Sequence, residues 1–299
     1  MSEVDYRGLA ALDAVVDYGS FDKAAAALAI TQSAVSQRIR LLEHAGGELL
    51  LVRSQPPQAT AAGQRLIAHY RQVRLLEAAL RQRPGHGDGR PEISIAANAD
   101  SAATWLQDAV TPLMLSGECL LNIRLDDQDH TLSQLREGRV FACVTSETSR
   151  VAGTTATPLG TMRYLCVAAP AFAQRWFADG FTAAAAQHAP ALLFDRKDAL
   201  LERFLTRRFG AAARYAHHSL SSSEGFVRLI EAGLAYGMVP QLQCAASLRA
   251  GRLVELAPGD GLDVPLIWHA WDIQTPLTRK LSEHVISTAR HWLDYSIND

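Results

Sequence analysis

The chain has 299 residues, of which 48% are hydrophobic and 20% are charged. This composition excludes a wholly disordered chain, and the length predicts two or three domains. The formal net charge of −2 is unevenly distributed, because residues 20–83 carry nine lysines and arginines against four acids. A basic N-terminal part on an acidic body is typical of a chain in which one domain contacts phosphate groups and another does not.

The cysteines and the apolar runs indicate the compartment. The four cysteines form no CxxC pair and lie away from any histidine at metal-ligand spacing. We therefore expect buried free thiols in a reducing cytoplasm, with neither a metal ion nor a cofactor. The sequence has no apolar signal-peptide region and no apolar run of about 18–20 residues, so we expect a cytoplasmic protein without a membrane partner. The cysteines are Cys119, Cys143, Cys166 and Cys244.

Three helices are predicted at the start of the chain. The first spans residues 5–17, and the next two lie within residues 20–42, where Ser20 and Thr31 are the expected N-caps. The third helix has apolar residues at three- and four-residue steps, which predicts a buried stripe. This stripe consists of Val35, Ile39 and Leu42.

The polar side of the third helix has the chemistry of a DNA-reading surface. Amides and hydroxyls pair with base edges in the major groove, and arginines and helix N-termini bind phosphates. The pattern alone also fits an ordinary αα-hairpin with a polar surface, since helix-turn-helix shapes are common in proteins that do not bind DNA. The residues expected to face outward are Gln32, Ser33, Ser36, Gln37, Arg38 and Arg40.

A short wing is predicted after the third helix. Residues 48–53 form an apolar, strand-like run, and Pro56 and Pro57 then turn the chain. Arg53, at the end of the run, could reach the DNA backbone or the minor groove. The alternative is that Arg53 caps the C-terminus of the preceding helix.

A long helix and a linker follow the wing. Thr60 is predicted to cap a helix over residues 61–82, in which apolar residues recur at three-, four- and seven-residue steps. We expect this helix to pair with a second copy of the chain, and packing on its own domain is the alternative. Residues 84–91 contain three glycines and two prolines, which predicts a flexible linker and a domain boundary.

From residue 92 onward strand patterns alternate with helical ones, which predicts a parallel sheet with helices on both faces. The strands divide into two linked α/β lobes, the first at about 92–162 and 268–299 and the second at about 163–267. Ligands bind such sheets at the carboxyl ends of strands, where helix N-termini collect. The predicted strands span residues 92–97, 120–125, 140–145, 163–169, 191–194, 235–240 and 265–271.

Three helix starts are predicted beside these strands. Asp100 or Ser101 is the expected cap of a helix that runs to residue 115, and Thr131 is the expected cap of a short helix ending at residue 138. Residues 221–224 are expected to cap a helix that runs to residue 233.

Four segments of the first 65 residues, taken together, resemble the LysR-type transcriptional regulators: residues 19–28, 31–43, 47–53 and 60–63. The rest of the chain resembles the inducer-binding region of that family, which has the fold of type 2 periplasmic binding proteins. The resemblance implies a winged helix-turn-helix domain over residues 1–60, a linker or dimerisation helix over 61–83 and a two-lobed α/β effector domain over 92–299.

Finer matches resemble the ArgP branch of this family, also called IciA or LysG, at residues 30–39, 50–53, 98–101 and 222–227. Regulators of that branch respond to lysine and arginine and commonly control an exporter of basic amino acids. The chain departs from the branch at Gln58, where a basic residue is usual. This departure implies a weaker phosphate contact by the wing.

The resemblance assigns DNA contact to the polar surface of the third helix and to the wing, at Gln32, Ser33, Ser36, Gln37, Arg38 and Arg53. A basic amino acid as effector needs hydrogen-bond donors for its α-carboxylate and acids for its cationic end. Each candidate acid could instead be a helix cap or a solvated loop residue, as could Asp127. The candidate effector-binding residues are Asn98, Asp100, Ser101, Asp126, Thr145, Asp195, Ser222, Ser223 and Glu224.

Other classes of protein fit the sequence less well. The sequence has no G-x-S-x-G elbow, no H-E-x-x-H motif and no P-loop, and His217 and His218 are adjacent rather than spaced for a metal, so we expect no catalytic residue. An α/β hydrolase is the enzymatic alternative. A structural nucleoid-type DNA binder would not need the acidic α/β body, and a LysR-type regulator with a small-acid effector is the third alternative.

The expected protein is a ligand-responsive transcription factor that binds double-stranded operator DNA. We expect a homo-oligomer, either a dimer through the linker helix or a tetramer, with RNA polymerase as a further partner. Ligand binding would close or shift the two lobes and so change the spacing of the paired DNA-binding domains on the operator.

Overall fold

The chain folds into a helical N-terminal part and a larger α/β part. The computed structural model describes residues 5–81, 90–125, 128–210 and 215–293. The elements of the N-terminal part are α1 (Tyr6–Tyr18), α2 (Phe21–Ala27), α3 (Gln32–Gly46), β1 (Leu51–Val52), β2 (Gln58–Ala59) and α4 (Ala61–Arg81).

Local capping chemistry sets where these helices begin. The hydroxyl of Thr31 accepts a hydrogen bond from the backbone N–H of Ala34 at 3.2 Å and starts α3. Thr60 accepts in the same way from the backbone N–H of Gly63 at 3.1 Å and starts α4. The short strands β1 and β2 pair antiparallel between these two helices. The predicted winged helix-turn-helix and the long helix behind it are therefore confirmed.

The α/β part contains eighteen elements within the described residues. In chain order they are β3 (Glu92–Ala97), α5 (Ala99–Ala103), α6 (Leu106–Ser116), β4 (Leu120–Leu125), α7 (Gln128–Arg136), β5 (Ala142–Thr145), β6 (Thr154–Ala168), α8 (Pro170–Trp176), α9 (Ala183–His188), β7 (Ala191–Leu193), α10 (Leu200–Phe209), β8 (His217–Ser219), α11 (Ser223–Glu231), β9 (Gly237–Pro240), α12 (Gln241–Arg249), β10 (Val254–Glu255), β11 (Gly261–Trp271) and α13 (Pro276–Trp292).

Two long antiparallel strands join the two lobes. In the first lobe β3 pairs parallel with β4 and with β5. In the second lobe β9 and β10 pair antiparallel with β6, and β7 and β8 form a separate parallel pair. Strand β11 pairs along its whole length with residues 154–165 of β6, and these two strands belong to both lobes. The parallel pairing predicted from the βαβαβ order is therefore confirmed for β3, β4 and β5, and the antiparallel strands make the complete sheet mixed.

Strand β6 begins nine residues before the predicted strand at 163–169. Pro158 and Gly160 lie in the added part, and both residue types argue against a strand interior. The structure places them at a change of register, where Gly160 pairs with Leu266 and Pro158 pairs with Ile267. Leu159 is thus an extra residue between the two pairs, as in a β-bulge, and its side chain is fully buried.

Two of the predicted helix caps are wrong. Asp100 and Ser101 lie inside the short helix α5, and Asn98 occupies its N-cap position. Thr104 ends α5 and donates its hydroxyl to the backbone carbonyl of Asp100 at 2.6 Å, so the predicted single helix is broken into α5 and α6. Thr131 lies within α7 rather than at its start.

The N-terminal and α/β parts touch at the turn after α7, and Leu75 of α4 also packs against the core of the α/β part. Gly138 follows α7 with a φ of 65°, and a Cβ atom there would lie 2.4 Å from the Cα of Ala68 in α4. Only a glycine leaves room for this approach. The predicted domain limits stay a prediction, and residues 84–89 of the predicted linker lie outside the described residues.

Replacing Gly63 by alanine tests how closely α4 approaches the wing. The added Cβ would lie 2.1 Å from the backbone oxygen of Leu50, so we expect the free energy of unfolding to fall by about 1–3 kcal/mol. Gly46, at the end of α3, is the control, because a Cβ there meets no atom within 4 Å. Alanine at Gly46 should be neutral or stabilise by up to about 1 kcal/mol. Equal effects of the two substitutions in denaturation experiments would contradict the close approach.

Candidate functional sites

The first turn of α3 presents polar side chains to solvent. Gln32, Ser33 and Gln37 are exposed, and Arg38 is partly exposed. The hydroxyls of Thr31 and Ser33 lie 3.0 Å apart and share a hydrogen bond. The start of the helix therefore offers amide, hydroxyl and backbone N–H groups on one surface, which is the set that binds base edges and phosphates.

Ser36 does not face outward as predicted. The residue is only 7% exposed, although it carries a polar side chain. It follows Val35 and precedes Ile39 by three positions, so on a helix it flanks the buried stripe. A small hydroxyl fits at such a border. The direct base contact predicted for Ser36 stays a prediction, and the burial of the side chain argues against it.

Arg53 lies at the end of the wing strand and is exposed. Its guanidinium carbon sits 5.8 Å from the ring centroid of Phe21, at the start of α2, in a cation–π arrangement. The side chain is thus held by the N-terminal end of α2 and not by the C-terminus of α3. Gln58, opposite Val52 in the wing, is exposed as well.

The long helix α4 has both buried and exposed apolar residues. Ile67 and Ala68 are buried in this chain, which fits the alternative of packing on its own domain. Leu76 is 45% exposed, and Leu66 and Val73 are only partly buried. Part of the apolar stripe of α4, at Leu76 above all, therefore remains exposed to solvent.

A cleft of about 580 Å³ opens between α5 of the first lobe and α11 of the second. Its volume suits a small metabolite. Two acids and three serines lie in its wall, and the described lining includes neither lysine nor arginine. The lining residues are Ala99, Ala102, Ala103, Gln107, Leu125, Phe194, Asp195, Ser221, Ser222, Ser223 and Glu224.

Asp100 connects the two sides of this cleft. One carboxylate oxygen accepts from the hydroxyl of Tyr164 on β6 at 2.8 Å. The other accepts from the hydroxyl of Ser223 at the start of α11 at 2.6 Å, and Gln243 in turn donates to that serine at 2.9 Å. Burial raises the pKa of Asp100, while the hydrogen bonds from Ser223 and Tyr164 oppose the rise.

The N-terminus of α11 is prepared for an anionic group. Ser222 is its N-cap, and its hydroxyl oxygen accepts from the backbone N–H of Gly225 at 3.2 Å. The hydroxyl proton of Ser222 remains available as a donor. The first backbone N–H groups of the helix, at Ser223 and Glu224, have no partner within the helix. A carboxylate can therefore bind at this end of the cleft.

Among the buried polar atoms of the described first lobe that have no hydrogen-bond partner, two lie in residues next to the cleft. They are Asn98 Oδ1 and Ser101 Oγ, and Ser101 is fully buried. Both residues belong to the turn and helix whose alanines line the cleft. A buried polar atom without a partner costs free energy, so these atoms are candidates for a ligand or a water molecule.

The remaining predicted effector residues are scattered. Asp195 lies in the cleft wall, and one of its oxygens accepts from the backbone N–H groups of Lys197 and Asp198 at 2.7 and 3.0 Å. Thr145 is buried at the end of β5, and its hydroxyl accepts from the backbone N–H of Glu147 at 3.1 Å. Asp126, like Asp127, lies outside the described residues.

Sequence reasoning did not identify Tyr164 or Gln243, which complete the network around Asp100. Tyr164 lies in an apolar strand run and gave no separate signal. Gln243 lies in α12, which was not predicted. The interpretation of Asp100 as a helix cap is replaced by hydrogen bonds across the cleft.

The described residues contain no group of three or more histidines, cysteines and acids that could hold a metal ion. All four cysteines are buried and free. Burial raises the pKa of Cys143 and of Cys244 to about 12, so both stay protonated thiols near neutral pH. No helix within the described ranges is long and apolar enough to span a membrane.

Comparison with known proteins assigns both parts of the chain. The family of bacterial regulatory helix-turn-helix proteins of the lysR type matches residues 6–64, and the LysR substrate-binding domain matches residues 86–290. The HTH-type transcriptional regulator ArgP of Aeromonas salmonicida is 44% identical over 296 residues, which cover 98% of this chain and 99% of that protein.

Two solved structures are similar over the whole chain. ArgP from Mycobacterium tuberculosis is 41% identical with a TM-score of 0.89, and the match covers 98% of this chain and 100% of that one. Full-length LysG from Corynebacterium glutamicum with the bound effector Arg is 35% identical with a TM-score of 0.80, at the same coverage.

Replacing Asp100 by asparagine tests the cost of its burial. The pKa of Asp100 is raised above its ordinary value of 3.8, so folding loses stability as the pH rises from that value through the raised pKa. The asparagine variant lacks this loss. The melting temperature of the variant minus that of the unaltered protein should therefore increase as the pH rises. Asp179→Asn removes a charge at an exposed position and is the control. A difference in melting temperature that does not change with pH would contradict the raised pKa of Asp100.

Proposed function

Because the chain belongs to the LysR family of bacterial transcriptional regulators, we propose that a basic amino acid, lysine or arginine, binds between its two lobes and modulates its binding to operator DNA. The observation that carries this proposal is the charge of the cleft. Asp195 and Glu224 line it, Asp100 lies behind Ser223, and no described lining residue is cationic. Such a cleft favours a ligand with an excess of positive charge and disfavours a small acid.

The two ends of the amino acid have complementary partners. The α-carboxylate is expected at the start of α11, where Ser222 and two backbone N–H groups offer donors. The cationic end is expected near Asp195 and Glu224, and the unpartnered oxygen of Asn98 can accept from an ammonium group. The similar LysG structure from Corynebacterium glutamicum, which contains the bound effector Arg, supports this effector class.

The proposed output is the DNA-binding surface of α3 and the wing. Gln32 and Ser33 are the proposed base or phosphate contacts, with Gln37 beside them and Arg38 and Arg53 at phosphates or the minor groove. The exposed apolar residues of α4 support a dimer. The proposal further includes assembly into a tetramer, a contact with RNA polymerase, and an exporter of basic amino acids as the product of the target gene.

Calorimetry with matched ligands tests the effector. Arginine and citrulline have nearly the same shape, but citrulline lacks the positive charge. We expect citrulline to bind at least about tenfold more weakly than arginine, and norleucine likewise compared with lysine. Equal affinity within either pair would refute charge recognition.

Variants of the cleft acids locate the recognition. Asp195→Asn and Glu224→Gln remove one charge each without changing the shape, and each should weaken arginine binding while citrulline binding changes little. Glu283→Gln, on α13 outside the cleft lining, is the control for net charge. Loss of affinity for both ligands alike would place the cationic end elsewhere.

Operator binding tests the surface of α3. Gln32→Ala should weaken binding to operator DNA by about tenfold or more if its amide meets a base edge, and less for unrelated DNA. Gln241→Ala, at an exposed position on α12, is the matched control and should bind like the unaltered protein. Unchanged operator affinity of Gln32→Ala would remove this residue from the proposed surface.

A further inference from the structure

The three residues 49–51, here called the bridge segment, connect the DNA-reading helix to the wing. One carboxylate oxygen of Glu43, in α3, accepts from the backbone N–H groups of Leu50 at 3.0 Å and of Leu51 at 3.3 Å. Both leucines are buried, at 1% and 5% exposure. Hydrogen bonds to a charged acceptor are stronger than those between neutral groups, so α3 holds the N–H side of the bridge segment firmly.

The helix α4 holds the carbonyl side of the same segment. The backbone N–H of Thr60 donates to the carbonyl of Leu50 at 3.0 Å, and the Thr60 hydroxyl donates to the carbonyl of Leu49 at 2.7 Å. Gly63 lies so close that a Cβ atom would sit 2.1 Å from that same Leu50 oxygen. The bridge segment is thus fixed to α3 on one side and to α4 on the other.

The wing inherits its orientation from this arrangement. Strand β1 begins at Leu51, and Arg53 follows two residues later, held over Phe21. If the Glu43 bonds were lost, the segment would keep its anchors to α4 but lose its anchor to α3. The strand that leads to Arg53 would then be less firmly fixed relative to the surface at Gln32 and Ser33.

We propose that Glu43 is a positioning residue for DNA recognition, which fixes the wing arginine relative to α3 without contacting DNA. The proposal rests on the DNA-binding surface proposed above. Glu43 is an acid on the helix that meets DNA, where a negative charge repels phosphates. The two hydrogen bonds that Glu43 accepts from the backbone of the bridge segment position the wing, and we expect this benefit to DNA binding to outweigh the repulsion between Glu43 and the phosphates.

Two single alanine variants separate the effect of removing a negative charge from the effect of losing the positioning bonds. Glu43→Ala and Glu48→Ala each remove one negative charge from the same domain. Glu48 is 57% exposed, and its only ion pair among the described residues is a long one of 3.9 Å to the exposed Arg65. An exposed pair of this kind contributes little, so Glu48 has no positioning role. Charge alone predicts tighter DNA binding for both variants. We expect Glu48→Ala to bind operator as tightly as the unaltered protein or more tightly, and Glu43→Ala to bind about tenfold more weakly.

A double-mutant cycle shows whether Glu43 acts through the wing. Arg53→Ala and Glu43→Ala should each make the plot of log affinity against log salt concentration less steep, by the amount that corresponds to about one phosphate contact. The double variant should bind like Arg53→Ala alone, because the arginine is then already lost. Additive losses, or equal operator affinities of Glu43→Ala and Glu48→Ala, would overturn the proposal.

Folding and the DNA surface are controlled in the same experiments. Arginine affinity of each full-length variant reports whether the α/β part is intact, and the melting temperature reports the N-terminal part. If Glu43→Ala does not fold, the cycle is run with Glu43→Gln against Glu48→Gln. Glutamine keeps an acceptor oxygen, so a smaller loss with the same sign is expected. If the underlying DNA surface is wrong, Gln32→Ala and Arg53→Ala would both bind operator normally.

Discussion

The burial of the Asp100 carboxylate is the constraint on which the arrangement of the two lobes depends. Within the described chain its hydrogen-bond partners are two neutral hydroxyls, from Tyr164 on the shared strand and Ser223 on the second lobe. A buried carboxylate without a cation is costly, so the closed contact is favourable only with a proton or a positive charge nearby. The burial of this carboxylate therefore favours a cationic ligand in the cleft beside it.

Features determined by near neighbours in sequence could be predicted. The caps at Thr31, Thr60 and Ser222 each accept from an N–H three residues further on, so the pattern of the chain contains the whole interaction. The wing followed from a short apolar run and two prolines. The family resemblance added the order of the domains, and the cleft could be placed near residues 98–101 and 221–224.

Features that depend on distant residues could not be predicted. Tyr164 and Ser223 are 64 and 123 residues from Asp100 in sequence, and capping preferences alone made Asp100 a helix start. Ser36 looked exposed because its residue type is polar, but its neighbours on the helix bury it. Pro158 and Gly160 concealed half of β6, since their tolerance in a strand depends on a bulge against β11.

That bulge has a mechanical consequence. Strands β6 and β11 are continuous through both lobes, and their pairing changes register once, at Leu159. A hydrogen-bonded ladder resists sliding, so one lobe can move against the other mainly by twisting the two strands about this point.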